Sequence, residues 1–202
     1  MSQPDWTDQV AGLVASQVRV YRERRNMSAQ QLADACTEAG LPIKRSVIAN
    51  WENGRRTTVS VAELLVLGSV LGIPPILLLF PIGQHESVEV VPGKKMSPWA
   101  AAKWFSGVEP AGIETGLPVK VDLQAWRPIT LYMQHDDLVR KLRGEAQRTR
   151  LITDADRRRD VERNIRNLEE ALGDVRNEIR KFGIVLPDLP EELTYIDALG
   201  KE

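Results

Sequence analysis

Between Ser28 and Arg56 the chain reads SAQQLADACTEAGLPIKRSVIANWENGRR, and this stretch leaves little freedom in how it folds. Ser28 is a good N-cap, and Gln31 three residues on completes a capping box. Leu32, Ala35 and Cys36 then form the inward face of a short helix that Gly40 ends. Leu41-Pro42-Ile43 makes a turn, and a second short helix runs from Lys44 to Asn53, closed by Gly54. At about 100° per residue, Ile48 and Trp51 fall on one face of that helix, with Lys44 and Val47 beside them. Ser46, Ala49, Asn50 and Asn53 fall on the other face, with Arg45 at its flank near the N-terminus.

The flanking sequence supplies the rest of a compact helical domain. Residues 7–25 predict a helix with Val10, Leu13, Val14, Gln17, Val18 and Tyr21 on one side. It ends in Arg22-Glu23-Arg24-Arg25, whose cations suit a helix C-terminus. Ser60 with Glu63 forms a second capping box and opens a helix through Leu71. Gly72-Ile73-Pro74-Pro75 breaks the chain, and Pro75 to Phe80 predicts a short fifth helix. A five-helix domain over residues 1–80 is the expectation.

Residues 81–127 predict a linker, with a weakly alternating strand at Val88-Glu89-Val90-Val91 and a Trp-rich helix. Ser97 as N-cap and Pro98 at the first helical position start that helix, and residues 107–127 read as loop. Residues 128–183 predict a long helical hairpin or coiled coil. One helix runs from Pro128 to Leu151 and another from Asp154 to Phe182. The second carries Val161, Ile165, Leu168, Leu172, Val175, Ile179 and Phe182 in a heptad pattern. The first carries a weaker version that includes Leu131, His135, Leu138 and Leu142. Residues 184–202 form an acidic tail with two prolines, partly ordered at best. The fold class is therefore mostly α.

Composition narrows the chemistry. A single cysteine, Cys36, excludes an intramolecular disulfide and any CxxC zinc site, and its helical setting predicts a buried core residue. The N-terminal MSQPDWTDQV has no basic region followed by an apolar run, and the apolar stretch Ile73 to Ile82 is too short to span a bilayer. A cytoplasmic protein without membrane contact is expected. The two histidines, His85 and His135, do not sit at metal-ligand spacing, and His135 lies on the apolar seam of its helix. No enzyme, metal or cofactor is expected. The formal net charge of −1 does not itself point to a polyanion partner, so local charge pattern decides.

That local pattern fits double-stranded DNA. Arginine pairs bidentately with guanine and asparagine with adenine in the major groove. Arg45, Ser46, Ala49 and Asn50 are the expected base readers. Ser28 and Gln30, at the start of the preceding helix, are expected phosphate contacts, together with Lys44, Asn53, Arg55 and Arg56.

These residues resemble the lambda-repressor-like (Cro-type, xenobiotic-response-element) helix-turn-helix family. The resemblance is carried by Leu32-Ala33, by Ser46 to Arg55 ending in Trp-Glu-Asn-Gly-Arg, and by Ser60-Val61-Ala62-Glu63-Leu64. It spans about residues 7–80 and implies that the third helix enters the major groove, with Arg45, Ser46 and Asn50 reading bases. Two departures stand out. Ala29 occupies a place where the family often has a phosphate-gripping glutamine, and the turn around Gly40-Leu41-Pro42 is expanded.

Arg140, Lys141, Arg143, Arg148, Arg150, Arg157, Arg158 and Arg159 cluster where the two long helices meet. They predict either a solvated face with intrahelical ion pairs or a second DNA contact. The heptad stripe must be buried, within a hairpin or against a second chain. A homodimer and a monomer with two DNA-contacting parts both remain open. The Ala111-Gly112 pair matches the bond at which some repressors of this family cut themselves, but the helical C-terminal region offers no β-rich domain for that reaction. The resemblance implies a transcriptional repressor, with an organisation like immunity repressors of actinobacterial phages and prophages. The alternative is an antitoxin or adaptor whose C-terminal helices bind a protein partner while the helix-turn-helix domain autoregulates.

Overall fold

The structure is a computed structural model that describes residues 5–108, 122–149 and 152–199. It divides into two compact units, Met1–Val119 and Lys120–Glu202.

In the first unit, α1 (Trp6–Arg24) buries Ala11, Val14, Ala15, Gln17 and Val18. After a turn through Asn26, Ser28 opens α2 (Ala29–Glu38) with the expected reciprocal capping box to Gln31. The expanded turn is held at both ends. The Leu41 N–H donates to the Cys36 carbonyl at 3.0 Å, and Ile43 is buried in the core. The recognition-helix candidate, α3, covers Arg45–Glu52. Ser60 and Glu63 cap α4 (Val61–Leu71), and α5 (Ile76–Leu79) follows a Pro-Pro turn. Val14, Val18, Leu32, Cys36, Ile48, Trp51, Leu67, Leu71 and Leu78 share one core. Gly68 is a close-approach position: a Cβ there would lie 2.7 Å from Pro75 Cγ, so only glycine lets the Pro-Pro turn pack on α4.

Of the segment expected as a linker, residues 82–106 fold onto this unit, while 123–127 belong to the first long helix of the second. Val88–Val91 (β1) pairs antiparallel with Lys94–Met96 (β2), with an irregularity after Glu89. Helix α6 (Pro98–Ser106) starts at Ser97 and Pro98 as expected. Val88, Val90, Met96, Ala101 and Ala102 form a second cluster with Phe80, against which Leu13 and Leu79 pack. Two polar ties close it: the Trp6 indole donates to the Glu89 carbonyl at 3.1 Å, and Gln84 donates to buried Gln17 at 3.2 Å.

The second unit holds two long helices packed together, α7 (Leu123–Thr149) and α8 (Ala155–Phe182). They are antiparallel: Arg127 near the start of α7 pairs with Glu178 near the end of α8, and Asn164 reaches Glu145 at the other end. Helix α7 begins one turn before the expected Pro128. Asp122 accepts from the N–H groups of Gln124 and Ala125, so the cap lies upstream and Pro128 falls inside the helix. Asp154 caps α8 through the Arg157 N–H. The stripe is corrected in two places: Leu172, Arg176 and Ile179 are the fully buried residues of α8, so Arg176 enters the seam beside half-buried Val175, and Phe182 at the end of the helix is exposed.

The tail also differs from expectation. A 3-10 turn (Glu191–Leu193) and helix α9 (Ile196–Leu199) cover the hairpin, and Leu193 and Ile196 join Leu142 and Leu172 in its core. Arg176 fastens it. Its guanidinium grips Asp197 through two bonds of 2.8 Å and donates to the Pro187 carbonyl and to His135 Nε2, both at 2.9 Å. His135 is 1% exposed and Arg176 3%, so both polar groups are satisfied inside an apolar setting, Arg176 chiefly by Asp197 and His135 by Arg176.

Candidate nucleic-acid interface

Helix α3 is amphipathic in a way that fixes which side it shows. Ile48 and Trp51 are 0% and 2% exposed and bolt it to the core. Arg45, Ser46, Asn50 and Asn53 are exposed, and Ser46, Asn50 and Asn53 stand at i, i+4 and i+7 on one outward stripe. Ala49 is half-buried on the flank. Lys44, the N-cap, is exposed, and its side chain makes no cap bond.

The turn after α3 is braced from both sides. Gly54 adopts φ +68°, a left-handed conformation that favours glycine. The N–H groups of Arg55 and Arg56 both donate to the Asn50 carbonyl, at 2.8 and 3.1 Å, and the Trp51 indole donates to the Thr58 carbonyl at 2.9 Å. Arg56 folds back: its guanidinium lies 4.6 Å above the Trp51 ring and forks onto Glu63 at 2.9 and 3.2 Å. Burial works to raise the Glu63 carboxyl. The Ser60 N–H and the Arg56 guanidinium outweigh it and hold the group below its ordinary value.

A second brace, absent from the sequence reading, joins α1 to α3. Arg22 forks onto Glu52 at 2.8 and 3.0 Å and donates to the Met27 carbonyl at 2.6 Å; both side chains are 12% exposed. The only hint in the sequence is that Glu52 is a carboxylate at a helix C-terminus, where the dipole disfavours it and a nearby cation would relieve it; which cation does so is set by the fold.

These braces decide the local charge. Glu52 at the end of α3 and Glu63 in the first turn of α4 are neutralised internally by Arg22 and Arg56. Lys44, Arg45 and Arg55 have no carboxylate partner among the described residues, and they flank the exposed Ser46, Asn50 and Asn53. At the start of α2 the expected phosphate contacts are already engaged in part. Ser28 is exposed but its hydroxyl accepts from Gln31, and Gln30 donates to Asp34 at 2.7 Å.

The basic cluster of the second unit is mostly paired within itself. Arg140 and Lys141 share Asp137, Arg143 reaches Glu192, Arg148 reaches Glu145, and Arg158 and Arg159 take Glu162 and Asp156. Arg157 has no ion-pair partner among the described residues. Arg150 and the Ala111-Gly112 pair lie outside the described residues. Among those described there is no cluster of side chains suited to a metal ion, and no helix is long and apolar enough to cross a membrane.

Residues 18–78, which contain α2, α3, α4 and both braces, match the helix-turn-helix family model. No curated protein and no solved structure matches the chain. The family match supports a DNA-binding transcription regulator.

Proposed function

We propose that the chain is a sequence-specific transcriptional repressor that reads an operator by laying α3 in the major groove. One observation carries this reading: Lys44, Arg45 and Arg55, which have no carboxylate partner among the described residues, flank an exposed polar stripe, while Glu52 and Glu63 are paired with Arg22 and Arg56. Arg45, Ser46, Ala49 and Asn50 are assigned to bases. Lys44, Asn53 and Arg55 are assigned to phosphates, with Ser28 and Gln30 at the start of α2. Repression is the reading that the resemblance in residues 7–80 favours, and the organisation of the whole chain makes a phage or prophage immunity repressor its specific form.

For the second unit we favour oligomerisation over a second DNA contact, because six of the eight candidate cations have a carboxylate partner within the unit. The neighbouring carboxylates also lower the local positive potential that a phosphate backbone would meet.

Selection of bound duplex from a random library with the full chain tests the proposal. A palindromic preferred site is expected, and Arg45→Ala or Asn50→Ala should cost about 1–3 kcal/mol on it and relax one base position. A full chain that enriches no sequence refutes sequence-specific binding. Equal footprints for the full chain and a 1–119 fragment, with weaker binding by the fragment, support oligomerisation; a shorter footprint for the fragment supports a second contact.

A further inference from the structure

We infer that Arg56, together with Glu63, is a positioning residue for the DNA-reading helix rather than a phosphate contact. This rests on the DNA-binding reading and divides the labour of two adjacent arginines within it. Arg55 and Arg56 look interchangeable in sequence, and their N–H groups share one acceptor, the Asn50 carbonyl. Their side chains part company. Arg55 is exposed and has no carboxylate partner among the described residues. Arg56 is sandwiched between the face of Trp51 and the Glu63 carboxylate.

The sandwich joins three elements. Trp51 is the buried anchor of α3, Arg56 belongs to the connecting turn, and Glu63 lies in the first turn of α4, where its Oε2 also accepts from the Ser60 N–H at 2.8 Å. The planar fork of an arginine meets a carboxylate bidentately and stacks on an aromatic ring at once, which a lysine cannot do. With its guanidinium engaged in this way, Arg56 releases no counterion on binding. It holds the turn that carries Asn53 and Arg55 at a fixed angle to the Ser46–Asn50 stripe. Base reading needs that angle; loose attraction to any duplex does not.

The two roles leave different marks on salt dependence and specificity. The test measures binding of the full chain to its selected duplex and to a scrambled duplex of equal length, by fluorescence anisotropy across a salt series. Arg56→Ala and Glu63→Gln should each weaken the selected duplex about tenfold relative to the scrambled one; the scrambled duplex itself should shift only slightly and in opposite directions, because one variant bares the Glu63 carboxylate and the other frees the Arg56 guanidinium. The double variant should be no worse than either single one, because both remove one interaction. The side-chain amide oxygen introduced by Glu63→Gln would still accept from the Ser60 N–H, so the start of α4 survives that substitution. Arg55→Ala should instead weaken both duplexes and flatten the slope by about 0.9. If Arg56→Ala flattens the slope in the same way, or leaves the selected duplex unaffected, the assignment is overturned. A wild-type chain that prefers no duplex sinks the DNA-binding reading and this assignment together; a wild-type chain that does prefer one isolates the test to Arg56.

Discussion

Replacing Glu52 with alanine should destabilise the first unit and leave the second unchanged. The carboxylate takes two charge-assisted bonds from Arg22, at 2.8 and 3.0 Å, where both side chains are 12% exposed. Hydrogen bonds to charged groups contribute about 1.5–3 kcal/mol each, which bounds the loss from above. Arg22 cannot escape by neutralising: its proton is held more tightly than usual, chiefly by the bond to Glu52, and an arginine stays charged in any case. Water reaches the pair from one side and the Met27 carbonyl keeps its bond, so part of the cost is recovered. A loss of about 2–4 kcal/mol remains, in line with breaking one side of a buried pair. For a unit of this size that lowers the midpoint by roughly 10–20 °C. Calorimetry and urea titration followed by tryptophan fluorescence measure it. The emission reports mainly on the first unit, since Trp6, Trp51, Trp99 and Trp104 lie there and only Trp126 lies in the second. The double variant Arg22→Met/Glu52→Leu should lose less than Glu52→Ala, because no charge is left buried. A change below about 0.5 kcal/mol in Glu52→Ala, the usual range for surface substitutions, would refute the view that this brace holds α3 to α1.

Three further outcomes are expected. Gly68→Ala should cost about 1–2 kcal/mol in urea unfolding, since the added methyl meets Pro75 Cγ at 2.7 Å and Cα at 3.0 Å, whereas Gly144→Ala and Gly173→Ala meet nothing within 4 Å and should stabilise the long helices by about 0.5–1 kcal/mol. Ser60→Ala should cost about 1 kcal/mol through loss of the α4 cap, read in the same titration. The hydrogen bonds from Arg176 hold the Asp197 carboxyl below its ordinary value. Because that value is depressed in the folded chain, its stabilising contribution is present above about pH 4, the unfolded value, and is lost as pH falls through the lower folded one. Pepsin cleavage within residues 184–199 should therefore accelerate as pH drops below about 4, and Asp197→Asn should expose the same segment to a neutral protease at pH 7. A tail equally resistant in both conditions would show that Arg176 does not hold it.

Local chemistry made much of the first unit legible. Both capping boxes, the glycine stops and the inward Ile48 and Trp51 follow from spacing alone, because each depends on residues within one or two turns. What escaped was made at long range. Nothing near Arg22 in sequence says that Glu52, thirty residues on, will face it. Lys94-Lys95-Met96, unassigned within the expected linker, becomes a strand because Pro92-Gly93 turns the chain and Met96 enters the cluster around Phe80. In α8 a strict seven-residue repeat selects Val175, but a straight helix drifts by about 20° per heptad and brings Arg176 into the seam instead. The acidic tail was read by its charge; Leu189, Leu193 and Ile196, spaced to share one side, were the better guide. Within the candidate interface, the exposed stripe was readable, whereas the division between Arg55 and Arg56 depends on where Trp51 and Glu63 meet in space.

The Arg176 clasp also imposes an order of assembly during synthesis. Every brace of the first unit closes between residues made early, and domains generally fold as units from the N-terminus as the chain emerges. The second unit cannot finish in that way. Arg176 and Asp197 are 21 residues apart, so the two long helices pair while a buried arginine and the histidine beside it still await their last partner. Until Asp197 arrives, Arg176 lacks the carboxylate that balances it in the apolar seam, so docking of the tail and tight pairing of the two long helices are one event rather than two.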